Sequence, residues 1–135
     1  MTPSELLVAA ADRIRDLAAK ASPGVWAAKN LTEHGHPGAW WVEVRHEDDE
    51  TTSWSTVADL SNINSGADAR WIAALSPAVA PALIGWLQES SGKWAIAEQR
   101  APLAGTDCSQ LVRDDDRAAL DFARLLCPDL VEEQQ

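Results

Sequence analysis

A chain of 135 residues, 46% hydrophobic and 24% charged, is one domain's worth of globular sequence, with enough apolar content for a core that needs no metal or disulfide. Its net charge of −10 argues against generic nucleic-acid binding, which needs a basic field, and against docking on anionic membrane. A basic protein partner or DNA mimicry is compatible with that charge, and so is plain solubility.

Seven tryptophans stand against one phenylalanine and no tyrosine. Each buried indole removes roughly 150–250 Å² from water, so several of them would carry much of a small core. The N-terminus is charged and amphipathic, without the apolar run of a signal peptide. No stretch reads as a transmembrane span, so the expected location is the cytoplasm. Cys108 and Cys127 have no paired Cys or His at ligand spacing, and are expected as reduced structural thiols.

The chain opens on Thr2-Pro3-Ser4-Glu5, a helix start in which Thr2 caps, Pro3 suits the first turn and Glu5 completes a capping box. Leu7, Ala10, Ile14, Leu17 and Ala21 then follow at spacings of three and four, and Ser22-Pro23-Gly24 ends the helix. So narrow a stripe suits either the chain's own sheet or a second copy of the chain.

Val25 to Asn30 reads as a first strand. After a polar turn, Ala39 to His46 alternates, with Trp40, Val42 and Val44 on one face and Trp41, Glu43 and Arg45 on the other. An acidic loop, Glu47 to Glu50, leads to a third strand over Thr51 to Leu60, which completes an antiparallel meander.

Turn chemistry over Ser61 to Gly66 precedes a short helix from Asp68 to Leu75, with Trp71, Ile72 and Leu75 as its packing side. Ser76-Pro77 interrupts it. The next helix carries Leu83, Leu87, Trp94 and Ala97 on one stripe and is expected to continue through Ser90-Ser91-Gly92 to about Gln99. Residues 100 to 112 read as a loop. A last helix begins at Asp114 or Asp115, presents Ala119, Phe122, Ala123 and Leu126, and ends at Cys127-Pro128. The expectation is a single α+β domain over residues 1–130 with a frayed tail at 131–135. A three-stranded meander packs against the N-terminal helix and two or three C-terminal helices.

Sites of specific chemistry are few. His34 and His36 flank Gly35 in a turn, with no second pair to complete a metal shell. His46 with Glu47, Asp48, Asp49 and Glu50 lacks the spaced ligands and glycine of a calcium loop, so neither metal nor cofactor is expected. Neither a nucleophile elbow nor a phosphate cradle is present, and the expected mode of action is binding, not catalysis.

The polar cluster that stands out is Asn62, Asn64, Asp68 and Arg70, beside Trp71 and with Trp26 elsewhere in support. Amides read edges, a guanidinium pairs an anion and an indole stacks, which suits a small planar nucleotide-like ligand. The same residues serve as turn and cap chemistry, and both readings stand.

Ser22-Pro23-Gly24-Val25-Trp26, the tryptophan-rich hairpin, Asn64 with Asp68-Ala69-Arg70-Trp71-Ile72-Ala73, and Ser76-Pro77 together resemble small proteins of actinobacterial genomes and phages of the Ead-like accessory type. The resemblance covers residues 1 to about 90 and departs at Val25, where proline is usual, and at Ser65-Gly66, which lengthen the asparagine turn. It implies a phage or mobile-element context in the host cytoplasm and no particular reaction. Three functions follow as expectations. The first is an oligomeric protein that sequesters a nucleotide-type host signal. The second is an acidic inhibitor or DNA mimic using Glu47 to Glu50 and Asp114 to Asp116, and the third is a small enzyme.

Overall fold

The computed structural model describes residues 1–32, 35, 38–47, 52–60 and 65–132. Most of the acidic hairpin loop, both turn histidines, and Asn62 and Asn64 lie outside the described residues. The architecture is α+β: helix α1 (Pro3–Lys20), strands β1 (Val25–Asn30), β2 (Trp40–Glu47) and β3 (Thr52–Leu60), then α2 (Ser65–Ala74), α3 (Ala80–Ala104), α4 (Asp114–Leu126) and α5 (Pro128–Glu132). Within the span expected to form one domain, the chain falls into two compact units. One joins Met1–Leu17 to Pro81–Gln135, and the other is Ala18–Ala80.

In the helical unit the capping box forms as its residues predict. The Thr2 backbone N–H donates to Glu5 at 2.7 Å and the Glu5 backbone N–H donates to the Thr2 hydroxyl at 3.3 Å. Hydrogen bonding to Thr2 holds the Glu5 carboxyl below its ordinary range. Glu98 of α3 accepts from both the backbone N–H and the hydroxyl of Ser4, so a second carboxylate satisfies the open donors of α1. Farther along, Arg13 donates to both carboxylate oxygens of Asp129 and to the Leu126 carbonyl, which ties α1 to the end of α4 and to α5.

Helix α3 runs through Ser90-Ser91-Gly92 and keeps its stripe, with Leu87 at 0% and Trp94 at 2% exposure. It continues five residues beyond the expected end at Gln99. Pro102 sits inside it, so the last turn tolerates a missing donor, and the helix stops before Gly105 at φ +66°. The expected loop shortens to residues 105–113 and holds a 3₁₀ turn, Cys108–Gln110, which the Asp107 carboxylate caps by accepting from the Ser109 N–H at 2.8 Å. Part of the tail expected to fray is helical, since α5 takes in Val131 and Glu132.

Of the seven indoles only Trp94 is buried, which corrects the expectation of a core resting on several tryptophans. Its ring is worth about 4–5 kcal/mol as an upper bound, and its N–H is satisfied by the Asp116 carbonyl at 3.0 Å. Elsewhere the core uses small and aliphatic groups, such as Leu7, Ala10, Ala119 and Ala123, all at 0% exposure.

The second unit is the sheet, in order β1-β2-β3 and antiparallel throughout, with α2 laid mainly on β1 and β2. Gly24 enters β1 at φ +120°, and a β-carbon there would lie 2.5 Å from the Arg45 carbonyl oxygen; only glycine fits this turn. Cross-strand partners share a face, so Trp26, Ala28 and Asn30 lie with Val44, Val42 and Trp40. The register slips between Val42, opposite Ala58, and Glu43, opposite Thr56, which makes Val57 the extra residue of a β-bulge. Val42 and Val44 are fully buried, and so is Ala69 of α2.

Candidate functional site

The cluster singled out from the sequence sits at α2, and the helix differs from its expected form. It begins at Ser65, three residues before Asp68, because Gly66 lets the first turn approach Trp40. A β-carbon at Gly66 would lie 2.9 Å from one indole atom and 3.1 Å from two others. Asp68 is therefore a first-turn residue placed to meet the positive end of the helix, and not the residue that starts it.

One turn beyond Gly66, the Arg70 guanidinium lies over the Trp40 ring, 5.0 Å from its centroid. Such a contact is worth about 0.5–1 kcal/mol at an exposed site. The indole under Arg70 is Trp40 of β2, a residue outside the cluster singled out from the sequence. Neighbouring residues on a helix point about 100° apart. Trp71 itself is 69% exposed and Leu75 53%, so the expected packing side is wrong for both; Ala69 is the residue that faces the sheet.

Trp26 is held away from this group. It pairs with Val44, four residues along β2 from Trp40 and so roughly 13 Å away, and its N–H donates to the Ser22 carbonyl at 2.9 Å. The structure therefore joins Arg70 to Trp40 beside an exposed Trp71, keeps Asp68 on the same helix, and leaves Trp26 at the other end of the strands.

Arg70 differs from five of the eight arginines and shares with Arg100 the lack of a carboxylate partner among the described residues. Arg13, Arg15, Arg113, Arg117 and Arg124 all pair with aspartates. Among the described residues the hydrogen-bonding edge of Arg70 meets no carboxylate, and that edge suits a carboxylate or phosphate.

A second polar cluster, which the sequence reading missed, lies in the helical unit. Asp116 is 1% exposed; one carboxylate oxygen accepts from Ser90 at 2.9 Å and lies 3.7 Å from the Lys93 ammonium, while its other oxygen has no hydrogen-bond partner among the described residues. Lys93 is held above its ordinary range, first by Glu89 and then by the charges of Asp116 and Asp115. Ser90 and Asp116 are enclosed, at 2% and 1% exposure, so this pair has no access for a substrate.

That burial removes Asp116 from any acidic surface. Asp114 binds Arg117 and Asp115 lies 3.9 Å from Arg113, around an open depression of about 610 Å³ lined by those four residues. The start of α4 is accordingly a face of mixed charge. Neither cysteine is activated: burial pushes both thiols up, aided at Cys108 by Asp107 and Glu98, and both are free. No group of three His, Cys, Asp or Glu side chains at metal-binding spacing occurs among the described residues. Compared with family models, with curated proteins and with solved structures, the chain matches none.

Proposed function

We propose that this chain acts by binding and not by catalysis, as an accessory protein of a phage or mobile element working in the host cytoplasm. Its ligand on this reading is a small anion of nucleotide type. The observation that carries it is Arg70, stacked on Trp40 and exposed, with no carboxylate in reach among the described residues of a chain that bears 21 acidic groups. Stacking spends one face of the guanidinium and fixes its plane, so less entropy is lost when its edge grips a phosphate. Trp71, exposed beside it, offers a second aromatic surface for a base.

Calorimetric titration with cyclic nucleotides and ADP-ribose-type nucleotides tests this reading. Saturable heat is expected with at least one of them, lost in Arg70→Ala and strongly weakened in Arg70→Lys, because an ammonium neither forks nor stacks in the same way. Absence of heat with every nucleotide, or equal binding by Arg70→Ala, ends the proposal.

A further inference from the structure

Lys29, Glu43, Arg45 and Asp59 all lie on one face of the sheet. Cross-strand partners share a face, so Lys29, Trp41 and Asp59 form one row, Ala27, Glu43 and Thr56 a second, and Val25, Arg45 and Trp54 a third. These rows alternate with Trp40, Val42 and Val44 and so point away from α2. Lys29 is committed there, its ammonium 3.7 Å from the Glu43 carboxylate. On the side that α2 covers, Trp40, Val42 and Val44 have only uncharged partners, from Asn30 to Trp26 on β1 and from Leu60 to Ser55 on β3. Helix α2 itself brings Asp68 and Arg70. From Trp71 to Gln88 the chain then runs for 18 residues without a charged side chain. By length and composition alone, that run makes the stretch Gly66–Ala104 apolar enough to cross a membrane, contrary to the expectation from the sequence. Among the described residues of the strands and α2, Arg70 is thus the one cation on this side of the sheet.

Building on the ligand reading above, we infer that the ligand carries a single negative charge on one phosphate, as a cyclic phosphodiester does, and is not a pyrophosphate. The Arg70 guanidinium, seated on Trp40, matches one such group. A second phosphate lies beyond its fork and finds no other cation among those residues. Towards Trp71 it meets an acid instead. Asp68 stands three residues before Trp71 on α2 and therefore shares its face.

The field of the whole chain sets the penalty. Each further charge on the ligand meets the repulsion of a chain of net charge −10, with only the remote pull of Arg70 to offset it. At about 50 mM salt that repulsion reaches roughly 14 Å and should cost each added charge about two- to threefold in affinity. At about 500 mM the reach shrinks to roughly 4 Å, and the cost all but disappears.

Titration calorimetry of the full chain at about pH 8 reads this directly, since imidazoles are neutral there and phosphates fully ionised. At that pH cyclic AMP, ADP-ribose and ADP carry about one, two and three charges, and cyclic GMP and GDP extend the comparison to a second base. At about 50 mM NaCl the affinity should fall by about two- to threefold per added charge, and at about 500 mM the values should converge. Asp68→Asn should raise the affinity for ADP more than that for cyclic AMP while keeping the far-ultraviolet circular dichroism of the parent. Affinity that is level or rises with charge at about 50 mM NaCl overturns the inference. If Arg70→Ala still abolishes the heat in that case, the anion site itself survives. An Asp68→Asn chain with unchanged ratios, or a fall with charge that salt does not relieve, overturns the inference as well. No heat with any nucleotide, or undiminished heat in Arg70→Ala, removes the site and the inference together.

Discussion

Three aspartates in a row open α4, and about 100° of rotation per residue separates their fates. Asp114 and Asp115 point to solvent and to arginines, while Asp116 turns inward to Ser90. Arg117 holds Asp114 below the usual carboxylate range, but that pair is exposed and contributes little. Asp116→Ala should cost roughly 1–3 kcal/mol in urea unfolding, since the buried Ser90 hydroxyl loses its acceptor. Asp114→Ala should stay within about 0.5 kcal/mol of the parent. Equal effects of the two substitutions would mean that the inward orientation is wrong. This asymmetry was legible in principle, because Asp116 precedes Ala119, Leu120 and Ala123 by three, four and seven residues and so belongs to the buried stripe. The contact of Arg70 with Trp40 was not legible, because it joins a helix to a strand 30 residues earlier and no local pattern encodes it.

Elements with strong local signals appear as their residues predict. Helix α1 has a capping box at one end and a Pro-Gly stop at the other, and the strands alternate between clear turns, so their limits match within a residue or two. Helix α2 has no such signal. Its apolar residues surround the axis, so periodicity could not choose between Trp71 and Ala69 as the buried side, and the sheet made that choice. Two glycine substitutions separate local propensity from tertiary contact. Gly92→Ala lies in the interior of α3 with nothing within 4 Å of the new β-carbon, and should stabilise by about 0.5–1 kcal/mol. Gly66→Ala gains the same propensity but drives a methyl group into the Trp40 ring, an overpacking cost of about 1–3 kcal/mol, and should destabilise on balance. Paired thermal melts that shift in opposite directions are the expected result. A stabilised Gly66→Ala would show that the indole yields freely.

At the scale of the whole molecule, net charge and ion pairs act in opposite directions as pH falls. Moving from pH 7 towards the isoelectric point near 4.5 reduces the self-repulsion of a −10 chain and should raise stability slightly. Below that, Asp129 held down by Arg13, Asp114 by Arg117, Asp107 by Ser109 and Glu5 by Thr2 all have folded pKa values under their unfolded ones. The unfolded chain then binds protons first. The stability these groups contribute is complete above about pH 5 and drains away as pH drops through their folded values. Denaturation midpoints should therefore peak near pH 5 and fall steeply towards pH 3, with Asp129→Asn flattening the acid limb. The division of the chain bears also on how it is made. The helical unit is interrupted, its first 17 residues being parted from Pro81–Gln135 by the whole of the sheet unit. On the ribosome the inner unit is finished first, while α1, already synthesised, waits on the order of seconds for Glu98, Ser91 and Asp129 to emerge. A narrow amphipathic helix without its partners is then the exposed nascent segment most open to a chaperone, and assembly closes from the inside outwards.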